Sequence, residues 1–233
     1  MADLSAFPIT RRWQPQDPTV LQLFSFPTPN GLKVSIALEE MGLRYEAHRV
    51  TLSETDVRSP EFLSLNPNNK IPAIIDPNGP DGAPIGLWES GAILIYLAEK
   101  SGKLGGSTPS ERAHVNQWVM WQMGGLGPMF GQLGYFTKFA GKEIDDPRPR
   151  EKFAVEGRRL LRVLAGELGE RDWIATEFSI ADIAIVPWLN ALTYYGTRDL
   201  VGWSEYPSLQ TYLDRFMARE GVQAGLDTPP REG

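Results

Sequence analysis

Apolar and polar positions alternate along Val20-Leu21-Gln22-Leu23-Phe24, the period of a β-strand. The spacing then turns helical at Val34, Ala37, Leu38 and Met41, and Gly42 sits where a C-cap glycine belongs, so a helix is expected over Leu32–Met41. Between them lies a turn of prolines and small polar residues, Phe26-Pro27-Thr28-Pro29-Asn30-Gly31. Such a strand-to-helix junction aims backbone N–H groups and the positive end of the helix dipole at whatever lies above it. Tyr45 to Val50 alternates again, and strand, helix, strand in that order makes a right-handed parallel unit. A polar stretch then leads through Ser59-Pro60-Glu61-Phe62 to Asn66-Pro67-Asn68-Asn69-Lys70-Ile71-Pro72. Ala73-Ile74-Ile75 and Ile85-Gly86-Leu87-Trp88 come next as short strands, and the turn residues Pro77 to Gly82 join them into an antiparallel hairpin. Glu89-Ser90-Gly91 opens a helical run carrying Ile93, Leu94, Tyr96 and Leu97.

The order β-α-β, then β-β-α, is that of a small thioredoxin-like α/β domain over residues 20–102. Strand patterns stop at a linker, residues 103–109, rich in glycine and small polar residues. Beyond the linker, residues 110–225 read as an all-α domain. Helical spacing covers Glu111 to Gln122, with a bend expected at Gly124, Gly125, Gly127 and Pro128, and then Arg150 to Leu168. Ser179 and Asp182 form a variant capping box with Phe178 and Ile183 as its hydrophobic staple, and a last helix is expected from Pro207 to Arg219. Residues 226–233 remain as a tail. Residues 1–19 read as an irregular arm, either disordered or packed across a partner subunit, and they lack the apolar core of a secretory signal.

Composition narrows the chemistry. The chain has 233 residues, enough to bury a real core, and a net charge of -6, which argues against nucleic acid or an anionic membrane as partner. It has no cysteine, so it holds no disulfide, no thiolate metal site and no cysteine nucleophile of its own, in keeping with a cytoplasmic address. Its two histidines, His48 and His114, lie in unrelated contexts and read as surface or half-buried residues.

Three segments of the first domain should converge: the 26–31 loop, Asn69-Lys70-Ile71-Pro72, and Glu89-Ser90. All lie at strand ends or helix starts, where open α/β sheets bind ligands. Together with Pro67-Asn68-Asn69-Lys70-Ile71-Pro72-Ala73, Glu89-Ser90-Gly91-Ala92-Ile93 and the Ser179–Asp182 cap, the loop resembles the cytosolic glutathione transferases. More narrowly the chain looks like their bacterial nu class, the glutathione disulfide-bond oxidoreductases, over residues 20–220. The resemblance implies a thioredoxin-like domain followed by a helical transferase domain, glutathione as cosubstrate, no metal, and a homodimer. It also implies that Ile71, Pro72, Glu89 and Ser90 contact glutathione. Ile71-Pro72 would be a cis peptide whose Ile71 N–H and C=O pair with the cysteinyl backbone as an added strand. Ser90 and its neighbouring amides suit the γ-glutamyl carboxylate, Glu89 the ammonium, and Lys70 the glycyl carboxylate.

The thiol is the crux. A free thiol has a pKa of about 8.5, so only a few per cent is thiolate at neutral pH. The loop has no tyrosine or cysteine, and the resemblance points instead to the Thr28 hydroxyl and the Asn30 amide as donors to sulfur. Asn30 has a competing role as a helix N-cap, which would use its oxygen as an acceptor. Ser25, the other nearby hydroxyl, belongs to the strand. The expected activity is glutathione-dependent disulfide reduction, with hydroperoxide reduction by the same thiolate. The alternatives are conjugation of glutathione to electrophiles and a non-catalytic glutathione-binding module. Trp118, Trp121, Tyr135 and Phe136 are candidates for the wall of a second-substrate pocket, though aromatics at helical spacing more often build a core.

Overall fold

The structure, a computed structural model, describes residues 4–231 and divides into two compact units. Among the described residues the first comprises 4–103 and 220–231, the second 104–219.

In the first unit β1 (Leu21–Ser25), β2 (Tyr45–Arg49), β3 (Ala73–Asp76) and β4 (Ile85–Trp88) form one sheet in the order β2-β1-β3-β4. β1 runs parallel to β2 and antiparallel to β3, and β3 runs antiparallel to β4. β1 and β3 are buried along their whole length, as central strands of a covered sheet must be. Between β1 and β2 runs α1 (Pro29–Met41), closed by Gly42 in the left-handed conformation at φ 68°. It starts at Pro29 rather than Leu32 because Thr28 caps it and proline suits the first helical position. Two short helices, α2 (Glu54–Val57) and α3 (Pro60–Leu65), occupy the polar stretch. Neither is long enough to show a period, although Ser59-Pro60 carries a start signal, and the Ser59 hydroxyl accepts from the Phe62 amide. α4 (Ser90–Ser101) comes directly after β4.

The N-terminal arm, for which the sequence suggested disorder or a partner subunit, packs instead on the first unit. Pro8–Arg11 forms a 3₁₀ turn whose Ile9 is buried among Phe24, Val50 and Phe62. Trp13 packs edge-on against Phe24 and Phe62 and donates from its indole to the Arg49 carbonyl at 3.0 Å. Residues 1–3 of that arm, and 232–233 of the expected tail, lie outside the described residues. The C-terminal end also differs from the expectation of a helical domain to 225 and a tail beyond it. α10 (Glu220–Leu226) packs on α1: the Ser35 hydroxyl donates to the Gly225 carbonyl at 2.7 Å. A Cβ on Gly225 would lie 2.6 Å from the Ile36 Cα, so only glycine permits this approach.

The second unit is helical throughout its regular elements. α5 (Pro109–Trp121) passes through a π-helical turn at Gln122–Leu126 into α6 (Gly127–Lys138), where the glycine cluster predicted a bend. α7 (Arg148–Leu168), α8 (Ile180–Tyr195) and α9 (Pro207–Met217) complete it. The capping box expected at Ser179 and Asp182 is present at the start of α8. Asp182, fully buried, accepts from the amides of Ile174 and Ser179 at 2.9 and 2.8 Å and from the Tyr212 hydroxyl at 2.6 Å.

Candidate functional site

Sheet register brings the three segments to one end of the first unit. Phe24 of β1 opposes Ala73 of β3, and Ala73 opposes Trp88 of β4. The loop after Phe24, the one before Ala73 and the one after Trp88 therefore emerge on the same side of the sheet. A cavity of about 50 Å³ there is lined by Asn30, Asn66, Lys70, Ile71, Pro72, Glu89 and Ser90. A second, of about 240 Å³, shares Lys70 and Ile71 with it and adds Thr28, Leu52, Val57 and Asn69. Thr28, Asn30, Lys70, Ile71, Pro72, Glu89 and Ser90, the residues singled out in the sequence, thus each line one or both cavities.

The 26–31 loop is built by local bonding. Thr28 N–H donates to the Phe26 carbonyl at 2.7 Å, and the Thr28 hydroxyl accepts from the Gly31 amide at 3.3 Å. Thr28, not Asn30, is therefore the N-cap of α1. A hydroxyl that accepts through a lone pair still carries a hydrogen to donate. Gly31 cannot be replaced without moving the loop: a Cβ there would lie 2.0 Å from the Phe26 carbonyl oxygen and 2.6 Å from the Ser25 Oγ. Ser25 is wholly buried and its Oγ has no hydrogen-bond partner among the described residues, so it serves the close packing of strand on loop.

The Ile71-Pro72 peptide is cis. Ahead of it the loop is fixed by Asn66, whose side-chain oxygen accepts from the Asn68 amide at 2.9 Å and whose amide nitrogen donates to the Lys70 carbonyl. Asn69 takes the left-handed conformation at φ 52°, which asparagine tolerates better than most residues. Glu89 sits at φ 73°, ψ 112° immediately before α4, a conformation costly for a residue with a Cβ. Ser90, the first residue of α4, is almost fully buried.

Lys33 escaped the sequence reading. It lies in α1, is wholly buried, and donates to Asn30 Oδ1 at 2.9 Å and to Ser90 Oγ at 3.3 Å. Burial pushes its amine down to about 7, against the attraction of Glu89, which pulls it up. The signal lay in α1 itself: after Lys33 come Val34, Ser35, Ile36, Ala37 and Leu38, all buried, a run that leaves no wet face at that level. Arg231 escaped too; its guanidinium donates to the Pro27 carbonyl at 3.1 Å and so ties the C-terminal segment to the loop.

Of the remaining candidates, His48 lies buried in β2 rather than at the surface, stacked on Phe24 and bonded to Gln22 Oε1 at 2.8 Å. His114 lines a separate concavity in the second unit, of about 360 Å³, with Glu111, Ser107 and Phe178. Trp118 is core, its indole nitrogen buried without a partner among the described residues, whereas Tyr135 is exposed and Phe136 stacks on Phe153. Among the described residues no cluster of three metal-ligating side chains occurs.

The family model described as the glutathione S-transferase N-terminal domain matches residues 19–99, and that of the C-terminal domain matches residues 128–220. The disulfide-bond oxidoreductase YfcG of Escherichia coli K12 is 44% identical over 209 residues, spanning 89% of this chain and 94% of that protein. A glutathione transferase from Pseudomonas putida, solved with one glutathione disulfide bound per subunit, is 57% identical. It superposes with a TM-score of 0.96, over 97% of this chain and 99% of that one. Another, from Burkholderia graminis, was solved with two glutathione molecules per subunit; it is 56% identical at a TM-score of 0.97, over 100% of this chain and 98% of that one. Matched by both family models and by these proteins over nearly its whole length, the chain belongs to the glutathione S-transferase family.

Proposed function

We propose that this protein reduces disulfides with glutathione, whose thiol it ionises beside Thr28 and Asn30. The observation that carries the reading is the start of α1. Thr28 and Asn30, both able to donate, line two adjoining cavities at a helix N-terminus, in a chain with no cysteine to form a mixed disulfide of its own. The name of the Escherichia coli relative and the disulfide bound to the Pseudomonas putida protein support it.

In this reading Ser90 and the first amides of α4 hold the γ-glutamyl carboxylate, Glu89 the ammonium, Ile71 and Pro72 the cysteinyl backbone, and Lys70 the glycyl carboxylate. Thr28 and Asn30 then donate to sulfur. A hydrogen bond to a charged group is worth about 1.5–3 kcal/mol. A pKa unit is worth about 1.4 kcal/mol, so each donor lowers the thiol by one unit or more. The bound thiolate attacks one sulfur of a small disulfide, forming a mixed glutathione disulfide and expelling the other sulfur as a thiolate that takes up a proton. A second glutathione thiolate attacks the mixed disulfide, releasing the reduced thiol and leaving glutathione disulfide. The same thiolate reduces hydroperoxides as an accessory activity, and the working form is a cytoplasmic homodimer.

Purified protein assayed with hydroxyethyl disulfide against a panel of aryl halides tests the reaction. Faster turnover of the disulfide is expected, whereas faster conjugation would replace this reading with a transferase acting on electrophiles. Glutathione binding with no turnover in either assay would make the site a binding module. Thr28→Ala combined with Asn30→Ala should raise the bound thiol's pKa while leaving glutathione affinity largely intact. An unchanged ultraviolet titration of the thiolate would remove both residues from the mechanism.

A further inference from the structure

We propose that Arg231 is a positioning residue of this site: by holding the Pro27 carbonyl it fixes the peptide that carries Thr28 to the glutathione sulfur. The inference rests on the glutathione reading and gives a part in it to a segment that reading leaves out, the residues after α10. An exposed arginine is ordinarily a solvated one, and three observations set this one apart. Its backbone is anchored, since the Arg49 guanidinium at the end of β2 donates to the Arg231 carbonyl. The segment leading to it starts from a fixed point, α10 being locked on α1 at Gly225. Its own guanidinium donates, at 3.1 Å, to the carbonyl of a buried residue, Pro27. Buried backbone carbonyls are costly to leave unpaired, so the bond answers a need of the loop itself.

What the bond does follows from the backbone. The pyrrolidine ring fixes φ at Pro27, so ψ of Pro27 and φ of Thr28 are the torsions that carry Thr28 on from the turn. The peptide plane between them is held at both polar ends. Its N–H donates to the Phe26 carbonyl at 2.7 Å, a γ-turn bond, and its carbonyl accepts from Arg231. Rotation about either torsion breaks one of these bonds. Beyond the plane Thr28 is committed to α1, its carbonyl accepting from the Leu32 amide at 2.9 Å and its hydroxyl from the Gly31 amide at 3.3 Å. Arg231 therefore sets where the Thr28 hydroxyl stands relative to the end of β1. The Arg49 guanidinium that anchors Arg231 also lies 5.8 Å from the Phe26 ring, over the residue whose carbonyl closes the turn. Hydrogen bonds weaken steeply with misalignment, so a small movement of Thr28 costs thiolate. The other charged groups about the loop and cavity, Arg49, Lys33, Lys70 and Glu89, are unchanged in the variants below.

Arg231→Ala in the full chain tests this, because it removes the guanidinium and leaves in place the carbonyl that Arg49 holds. In ligand-free protein the Thr28 amide should exchange its hydrogen about tenfold faster than in the native chain. With glutathione bound, the thiol titrated by its ultraviolet absorbance should ionise about half a unit higher, so disulfide exchange at pH 7 falls about threefold. The deficit should close above pH ~9.5, where a thiol of ordinary pKa ionises unaided. Arg231→Lys should recover most of the shift, since the bond to Pro27 needs one donor. An unchanged Thr28 exchange rate, an unchanged thiol pKa, or a rate deficit equal at every pH would overturn the role, as would a lysine variant no better than alanine. So would a shift that disappears in about 1 M salt, where the Debye length is about 3 Å, because that marks the arginine's charge and not its bond. The two readings fail separately. Native protein that binds no glutathione refutes the glutathione reading itself, whereas a Thr28 amide indifferent to Arg231→Ala refutes the part given to Arg231 with no ligand involved.

Discussion

Each unit buries a charged group completely, Asp182 in the second and Lys33 in the first, and the two are treated differently. Asp182 receives the Ile174 and Ser179 amides, the Ser179 hydroxyl at 3.1 Å and the Tyr212 hydroxyl. Burial pushes its carboxyl up, while these donors pull it down, Tyr212 first among them. Its partners are themselves buried or part of the backbone, so the cluster is closed and joins α8 to α9. Lys33 bonds instead to two side chains that line a cavity, and Glu89, the carboxylate that attracts it, lines that cavity too. A buried charge whose lone pairs are satisfied locally holds a fold together. One bonded to side chains that line a cavity sits beside a candidate site, where perturbed titrations cluster.

The largest effect expected of this contrast is on stability. Asp182→Ala strands four donors in a dry interior and should destabilise the protein by about 3–5 kcal/mol, read from urea denaturation. A loss below about 1 kcal/mol would put Asp182 with ordinary surface carboxylates and break the comparison. Tyr212→Phe removes one of those donors without changing shape much, and should cost about 1.5–3 kcal/mol, since the bond is to a charged or charge-prone acceptor. Neither variant, while folded, should alter the pKa of bound glutathione.

Lys33 supplies a smaller effect with an opposite pattern. Its folded pKa, about 7, lies below the ordinary 10.5. Between those values the unfolded chain binds more protons than the folded one, so stability rises with pH through that window. One proton gives a slope of at most about 1.4 kcal/mol per pH unit. The ligand-free native protein should therefore gain stability relative to Lys33→Met as pH climbs from about 7 to about 10. Parallel curves would mean that Lys33 is not held against its charge, and the distinction between the two buried groups would lapse.

Most of the fold was legible along the chain because its elements announce themselves locally. β3 and β4 fall where the short apolar runs Ala73–Ile75 and Ile85–Trp88 lie, and the box at Ser179 and Asp182 marks the start of α8 within a residue. The short helices α2 and α3 were hidden, since four and six residues are too few to display a helical period. α10 could be seen as helix-compatible, but nothing in residues 220–226 indicates that it returns to α1; that depends on a glycine at 225 meeting the Ile36 backbone. The site itself was legible as a set of segments, because a loop between a strand and a helix must emerge at a sheet end.

Sequence alone determined the family, the thioredoxin-like order of strands and the need for a sulfur brought by a ligand, because these come from local pattern, motif spacing and the absence of cysteine. Tertiary structure decided which side chain caps α1 and that a buried lysine bonds to Asn30 and Ser90 beside the cavity. Those outcomes depend on contacts such as Lys33 to Ser90, residues 57 positions apart, and hydrogen-bond direction is set only when the donors and acceptors of distant segments meet.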